Sequence, residues 1–277
     1  MADAPPVSIL ILTLNEEKKL PACLAALARF DDIVVLDSGS TDRTAEIARA
    51  AGARVFIHPF KDFASQRNHA HDTIDFKHPW VLHLDADEIM LPELVAECAK
   101  LDPAAPVDGY YIAPRMMFHG NWLPHCTDFP AWQARCVRTR GFRFIQTGHG
   151  QREAPDMRMG RLAGNYLHDI SVDDMAEWEA RHHRYARQEA GQFLATPESL
   201  GQTLRKFFAG PQLARRRALK RLSYHLPARP LLRLLYQYVL RGGFLDGRGA
   251  WRYCLLLGRY ERIATDEIKR QRAAGHG

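Results

Sequence analysis

Cysteine is scarce and poorly spaced for structural work. Cys23, Cys98, Cys126, Cys136 and Cys254 are odd in number, widely scattered and contain no Cys-x-x-Cys pair, so they read as reduced cytosolic thiols rather than a disulfide framework. The opening residues, MADAPPVSIL, lack a positively charged leader, an apolar stretch and a small-residue cleavage site, and no signal peptide is expected. A run of about 18 uncharged apolar residues is missing throughout, which excludes an ordinary membrane span and leaves a cytoplasmic location as the expectation. No internal repeat or low-complexity tract interrupts the chain. Acid is scarce in one place only. Residues 203–277 hold 17 Lys/Arg against 4 Asp/Glu, while residues 1–202 hold 21 against 28. The formal net charge of +6 therefore hides a C-terminal excess, which calls for an anionic partner: a phospholipid surface, an anionic acceptor or nucleic acid.

What is present begins with core-forming capacity: 277 residues at 46% hydrophobic content support one large domain, or one domain with an appendage. Over the first hundred residues strand-like and helix-like segments alternate, the pattern of a parallel sheet flanked by helices. Val7–Leu14 is a continuous apolar run, as expected of a strand buried on both faces. A helix is predicted over Glu17–Phe30 and a second strand over Ile33–Leu36. Thr41 is expected to cap a helix running to about Ala51, with Gly52 as its stop. Arg54–His58 reads as a strand, Phe63–Ile74 as a helix and Trp80–Leu84 as a fourth strand. Residues 108–170 read as short strands and loops, and helical patterning dominates from Val172. A soft boundary near Thr196-Pro197 separates an expected catalytic domain, 1–196 (donor half 1–100, acceptor half 101–196), from a basic helical region, 197–277.

Three predicted strands end in polar residues at matching places: in Asn15-Glu16, in Asp37-Ser38-Gly39-Ser40 and in Asp85-Ala86-Asp87-Glu88. In an open parallel sheet, ligands bind outside the carboxyl ends of the strands. Any one such ending can be a helix cap, but three together point to one crevice. Alternate residues of an extended segment project to the same side, so Asp85 and Asp87 can converge on one cation. Carboxylates suit Mg²⁺ or Mn²⁺, which share phosphate oxygens with a substrate and stabilise a departing diphosphate.

The segments ILTLNEE, IVVLDSGSTDRTAEIA, FASQRNHA and WVLHLDADE, in this order and spacing, resemble the family 2 glycosyltransferases of the GT-A fold, and in particular the bacterial branch that builds lipopolysaccharide core or surface polysaccharide. GYYIAPRMMFHGNWL, HHRYARQEA and GFLDGRGAW extend the resemblance more loosely. It implies an α/β, Rossmann-like, mostly parallel sheet with flanking helices, followed here by the basic helical extension. It also implies a nucleotide-sugar donor, with Thr13, Asn15, Glu16 and Ser38 lining the nucleotide pocket and Asp37 contacting the base, which favours uridine. Arg67 and Asn68 match positions near the diphosphate, Asp85 and Asp87 match the metal motif, and Asp87 is the more direct ligand. The family reaction inverts the anomeric centre, so a base must take the acceptor proton from the face opposite the leaving group. The branch carries His followed by Glu where this chain has Gly148-His149-Gly150. Gly150 replaces that Glu. Glu153 is the candidate base, Asp128 the reserve, and His149 either a further metal contact or a local loop residue. Trp122 and Trp132 read as core aromatics rather than sugar platforms.

The basic region interleaves Arg and Lys with Leu, Phe and Tyr, and helices over Leu213–Leu222 and Leu231–Leu240 would suit an anionic membrane interface. The expected activity is transfer of a hexose from a UDP-sugar to a lipid-linked or lipopolysaccharide-type acceptor, by an enzyme peripheral on the inner face of the cytoplasmic membrane. Two other classes compete. A nucleic-acid-binding module would explain the basic end but not the acidic crevice, so no nucleic-acid partner is expected. A nucleotidyltransferase opens with a Gly-rich phosphate loop, where this chain has LNEEKK.

Overall fold

The computed structural model describes residues 4–147, 150–196, 198–224, 226 and 228–275. Two compact units emerge: Met1–Met117 with Asp128–Ile170, and Phe118–Thr127 with Ser171–Gly277. The boundary expected near Thr196-Pro197 thus falls inside the second unit.

The first unit is built on strands β1 (Val7–Thr13), β2 (Ile33–Asp37), β3 (Arg54–Ile57), β4 (Trp80–Asp85), β5 (Glu88–Met90) and β6 (Gly109–Phe118). A two-residue strand β7 (Asn121–Trp122) belongs to the second unit, and β8 (Gln133–Arg138), β9 (Phe144–Thr147), β10 (Gly150–Glu153) and β11 (Met159–Asp169) complete the first. The main sheet runs β3-β2-β1-β4-β8-β6-β11-β5. β1, β2, β3 and β4 pair in parallel, as do β6 and β11, whereas β8 is antiparallel to β4 and β6 and β5 is antiparallel to β11. This is the mostly parallel α/β sheet expected of the GT-A fold.

β1 is buried along its whole length because helices cover both of its faces. Ile9 and Ile11 pack with Leu20, Leu24 and Leu27 on one side, and Leu10 and Leu12 pack with Ala70 and Ile74 on the other. Each such buried side chain contributes about 1.5–3 kcal/mol. The covering helices are α1 (Leu20–Ala25), α2 (Thr44–Ala50), α3 (Phe63–Thr73) and α4 (Pro92–Cys98). α1 is shorter than the predicted Glu17–Phe30 because the backbone N–H groups of Glu16 and Glu17 are taken by Thr44 Oγ1 and Asp42. The cap of α2 is also corrected. The N-cap position is Arg43, which gives no side-chain cap; Asp42, just before it, accepts the Thr44 N–H at 3.0 Å, while the Thr41 N–H turns to Asn15. Gly52 ends the segment at φ +83, a left-handed conformation that a Cβ disfavours. α3 is fixed by a reciprocal cap between Asp62 and Ser65.

The second unit is helical: α5 (Met175–Ala195), α6 (Leu200–Ala209), α7 (Gln212–Ser223), α8 (Arg229–Leu235), a π-turn over Tyr236–Leu240, a 3-10 turn over Gly243–Asp246 and α9 (Gly247–Ala273). α5 packs along α9, and α8 packs on α9. Asp246 ties the loop before Thr127 to this bundle, accepting from the His125 and Cys126 N–H groups at 2.9 and 2.8 Å and from the His125 ring at 2.5 Å. In α5, His182 stacks on Trp178 with ring centroids 3.8 Å apart, a packing role. Among the described residues no helix is long and apolar enough to cross a membrane.

Candidate active site

The register sets Thr13 against Asp37 and Leu12 against Asp85, so the polar ends of β1, β2 and β4 lie side by side. Two loops leave this edge and are stitched together. Asn15, held at φ +57, donates its N–H to Ser40 Oγ at 2.8 Å, and its side-chain oxygen accepts from the Thr41 N–H at 2.9 Å. Asp37 is the buried hub. Its Oδ1 accepts from the Thr13 and Ser40 hydroxyls at 2.8 and 2.5 Å, and its Oδ2 accepts from the Gly39 and Ser40 N–H groups at 3.1 and 2.7 Å. Four internal donors therefore surround the carboxylate. Ser38 closes the rim, donating its N–H to Thr13 O at 2.9 Å while its hydroxyl accepts from Gln66 at 3.3 Å.

Beneath the rim lies a buried charge cluster. Asp85 places Oδ1 3.0 Å from Arg67 and Oδ2 3.4 Å from Arg135, and its N–H donates to Glu88 at 2.8 Å. Arg135 also reaches Glu88 at 2.7 Å. Two arginines thus balance two carboxylates in a site where Glu88 is fully buried and Arg67 nearly so, the arrangement buried charge requires. Burial alone would raise Asp85, but Arg135 and Arg67 hold its carboxyl below the usual range. For Glu88 burial prevails and pushes the carboxyl up, despite Arg135. Burial pulls Arg67 down to about 10. Burial opposes the charge of Arg135 as well, yet Glu88 and Asp85 keep that guanidinium above its ordinary value.

Asp87 is set apart. Its Oδ2 is 3.7 Å from Lys19 Nζ and 3.9 Å from His168 Nε2, with the side chain 24% exposed. His168 Nδ1 is 3.2 Å from Glu88 Oε1, within ion-pair range but without hydrogen-bond alignment. Burial lowers the His168 imidazole, and Glu88 and Asp87 outweigh it, so the net shift is upward. Glu16, on the same side, is pushed up by burial and by Asp87.

The β9–β10 hairpin packs on α3. Asn68 pins it, donating to Phe144 O at 2.9 Å and accepting from the Phe144 N–H at 3.0 Å. In the amide orientation that satisfies both ends, Gln151 accepts from Arg67 at 2.8 Å. Glu153 accepts the Tyr111 hydroxyl at 2.6 Å, and burial together with this bond pushes that phenol up to about 12. Asp128 is exposed on the loop before β8. His149 lies outside the described residues. Trp122 and Trp132 correct the core reading: they are 37% and 36% exposed, and Arg161 sits 5.0 Å from the Trp132 ring.

Sequence reasoning missed Arg135, His168 and Lys19. An arginine flanked by Ala134, Cys136 and Val137 within the strand QARCVR was the available signal for Arg135. For His168 and Lys19 local pattern gave none, since each reaches Asp87 from another element. Among the described residues no group of three or more His, Cys, Asp or Glu is placed to hold a metal ion. Asp87 nonetheless offers a carboxylate, the donor type that Mg²⁺ and Mn²⁺ prefer, with the His168 imidazole 3.9 Å from it.

Fold and site together define an α/β protein with an acid-rich edge at the carboxyl ends of parallel strands, where open α/β sheets bind their ligands. The family model for glycosyl transferase family 2 matches residues 8–161, more than half of the chain, and the chain belongs to that family. The lipopolysaccharide core biosynthesis glycosyltransferase LpsC of Rhizobium meliloti is 38% identical over 158 residues, 53% of this chain and 53% of that protein. An uncharacterised glycosyltransferase of Rickettsia bellii is 32% identical over 118 residues, 42% of this chain and 40% of the relative. The chain thus spans about half the length of the curated relatives it matches. Residues 1–349 of S. aureus TarS in complex with UDP superimpose with a TM-score of 0.47 at 17% identity, covering 97% of this chain and 91% of that one.

Proposed function

We propose that this protein is an inverting, metal-dependent hexosyltransferase that uses a UDP-sugar and a lipid-linked saccharide acceptor of the lipopolysaccharide core or exopolysaccharide type. The observation that carries this is the division of labour in Asp-Ala-Asp: Asp85 is neutralised by two arginines, while Asp87 faces the crevice beside His168. The LpsC relative supports the acceptor class.

In this reading Thr13, Asn15, Glu16 and Ser38 form the nucleoside rim. Asp37 reaches the base by releasing the Ser40 hydroxyl, which, like that of Thr13 and unlike the two backbone N–H donors, can rotate away. Asp87, with His168, holds the divalent cation, which when bound neutralises the charge growing on the departing diphosphate. Arg67 holds Asp85, and Asn68 holds the hairpin. Glu153 accepts the acceptor proton, with Asp128 as the alternative base. The first unit performs the transfer, and the basic second unit brings the enzyme to an anionic membrane surface.

The test is acceptor-dependent UDP release with Mn²⁺, using a lipopolysaccharide core acceptor. Asp87→Asn is expected to lose activity and the Mn²⁺-dependent part of the donor thermal shift, while keeping the ligand-free melting temperature. An unchanged metal-dependent shift would overturn the metal assignment. Formation of UTP from UDP-sugar and pyrophosphate would overturn glycosyl transfer.

A further inference from the structure

The segment Arg229–Leu240 is inside out. Its exposed positions are Leu231, Leu232, Leu235, Tyr236, Val239 and Leu240, spaced to share one helix face, and every one is apolar. Two of its polar side chains turn inward: Arg229 pairs with Glu261 at 2.5 Å and Gln237 donates to Cys126 O at 2.6 Å, while the half-exposed Arg233 stands 3.9 Å from the same Glu261 carboxylate. A surface helix in water shows the reverse pattern. Leu240 is 78% exposed, and the apolar surface continues in sequence through Phe244 and Leu245, both exposed. Tyr238 packs edge-on against Trp251 at 5.0 Å and Phe244 at 6.5 Å, joining these turns to the start of α9. There Arg248, Trp251, Arg252 and Leu255 occupy successive turns of one exposed face.

The charge around this surface has one sign. Residues 229–260 contain six arginines and a single acid, Asp246, which is buried against His125. An apolar stripe with interfacial aromatics and flanked by arginines complements an anionic bilayer: Leu, Val and Phe enter the acyl boundary, Tyr and Trp sit at the headgroups, and arginine meets phosphate. A protein partner of matching chemistry would need acids opposite Arg248 and Arg252, whereas a second copy would bring the same cations face to face.

We infer that the face formed by Leu231, Leu235, Val239, Leu240, Phe244 and Leu245, bordered by Arg248 and Arg252, inserts into the interface of an anionic phospholipid bilayer. This rests on the membrane contact proposed above and narrows it from the whole basic unit to the outward stripe on α8 and the turns that follow.

The experiment is sedimentation of the full chain with vesicles of phosphatidylglycerol and phosphatidylcholine, against phosphatidylcholine alone. The wild type is expected to sediment with the anionic vesicles. Leu235→Glu/Leu240→Glu should bind at least about tenfold more weakly, with an unchanged thermal melt and unchanged donor hydrolysis. Arg205→Glu/Arg217→Glu, on α6 and α7, should weaken binding less. If the stripe variant binds as the wild type does while the α6–α7 variant fails, the surface is misassigned, although membrane contact stands. Failure of the wild type on both vesicles overturns membrane contact itself, with sugar transfer untouched. A dimer by light scattering that the stripe variant dissociates, without vesicle binding, would make the face a self-association surface and overturn the inference.

Discussion

Asp85 and Asp87 are two residues apart, yet their carboxylates meet different partners. Arg67 and Arg135 take both oxygens of Asp85, and Asp87 is left with Lys19 and His168 at longer range. Asp85 ends β4 whereas Asp87 sits in the two-residue turn before β5, so the strand alternation expected to bring both acids to one side does not extend to Asp87, and the turn gives each acid its own neighbours. Arg135 is the residue whose loss should be felt most. Arg135→Met leaves Glu88 buried without its cation and is expected to destabilise the fold by about 3–5 kcal/mol, measured by urea unfolding. A second buried acid governs pH dependence at the other end of the sheet. Burial works to raise Asp32, but the Ser8 hydroxyl, the Lys77 N–H and Arg54 outweigh it and hold the carboxyl below its ordinary value. The unfolded chain therefore binds the proton first as pH falls. The stabilisation is complete above the ordinary aspartate value of about 3.9 and is lost as pH drops through the folded value. Asp32→Asn should be less stable at neutral pH and should show a shallower loss of stability below about pH 4, read from denaturant midpoints across acid pH.

At the scale of elements, the strands that build the crevice were legible because each is a short apolar run bounded by turn residues. β1, β2 and β4 lie within a residue of their expected limits. Helices fared less evenly. α1 lost its first turn to hydrogen bonds with a loop about 25 residues away in sequence, and Thr41 was drawn off the start of α2 by its bond to Asn15, leaving Arg43 at the N-cap without a side-chain cap. The hairpin β9–β10 shows the limit of local reading most clearly. Its residue Glu153 was found as a nearby acid, but its bond to Tyr111 depends on strands 42 positions apart. The inside-out stripe on α8 had a visible apolar pattern. Which face met the protein was not visible, because periodicity gives the spacing of a stripe and not its direction.

For the whole molecule, the split of charge is the dominant fact: residues 1–202 carry 7 net negative charges and residues 203–277 carry 13 net positive ones. Salt should therefore act on one function and spare the other. The Debye length shrinks from about 10 Å at 0.1 M to about 3 Å at 1 M. Binding to anionic vesicles is expected to weaken steeply over that range, while donor hydrolysis in the crevice changes little; a parallel titration of both measures it. The sequence by itself determined the parallel sheet, the three polar strand ends and the basic helical region, because these follow from local hydrophobic period and composition. Only the tertiary structure decided that Asp85 pairs with two buried arginines while Asp87 meets Lys19 and His168 at longer range, and that Arg229 and Gln237 turn inward while Leu235 and Leu240 face out. Those outcomes depend on antiparallel pairing and helix packing between residues 50 or more positions apart, as in Arg135 with Asp85 and Gln237 with Cys126. No local pattern encodes such distances.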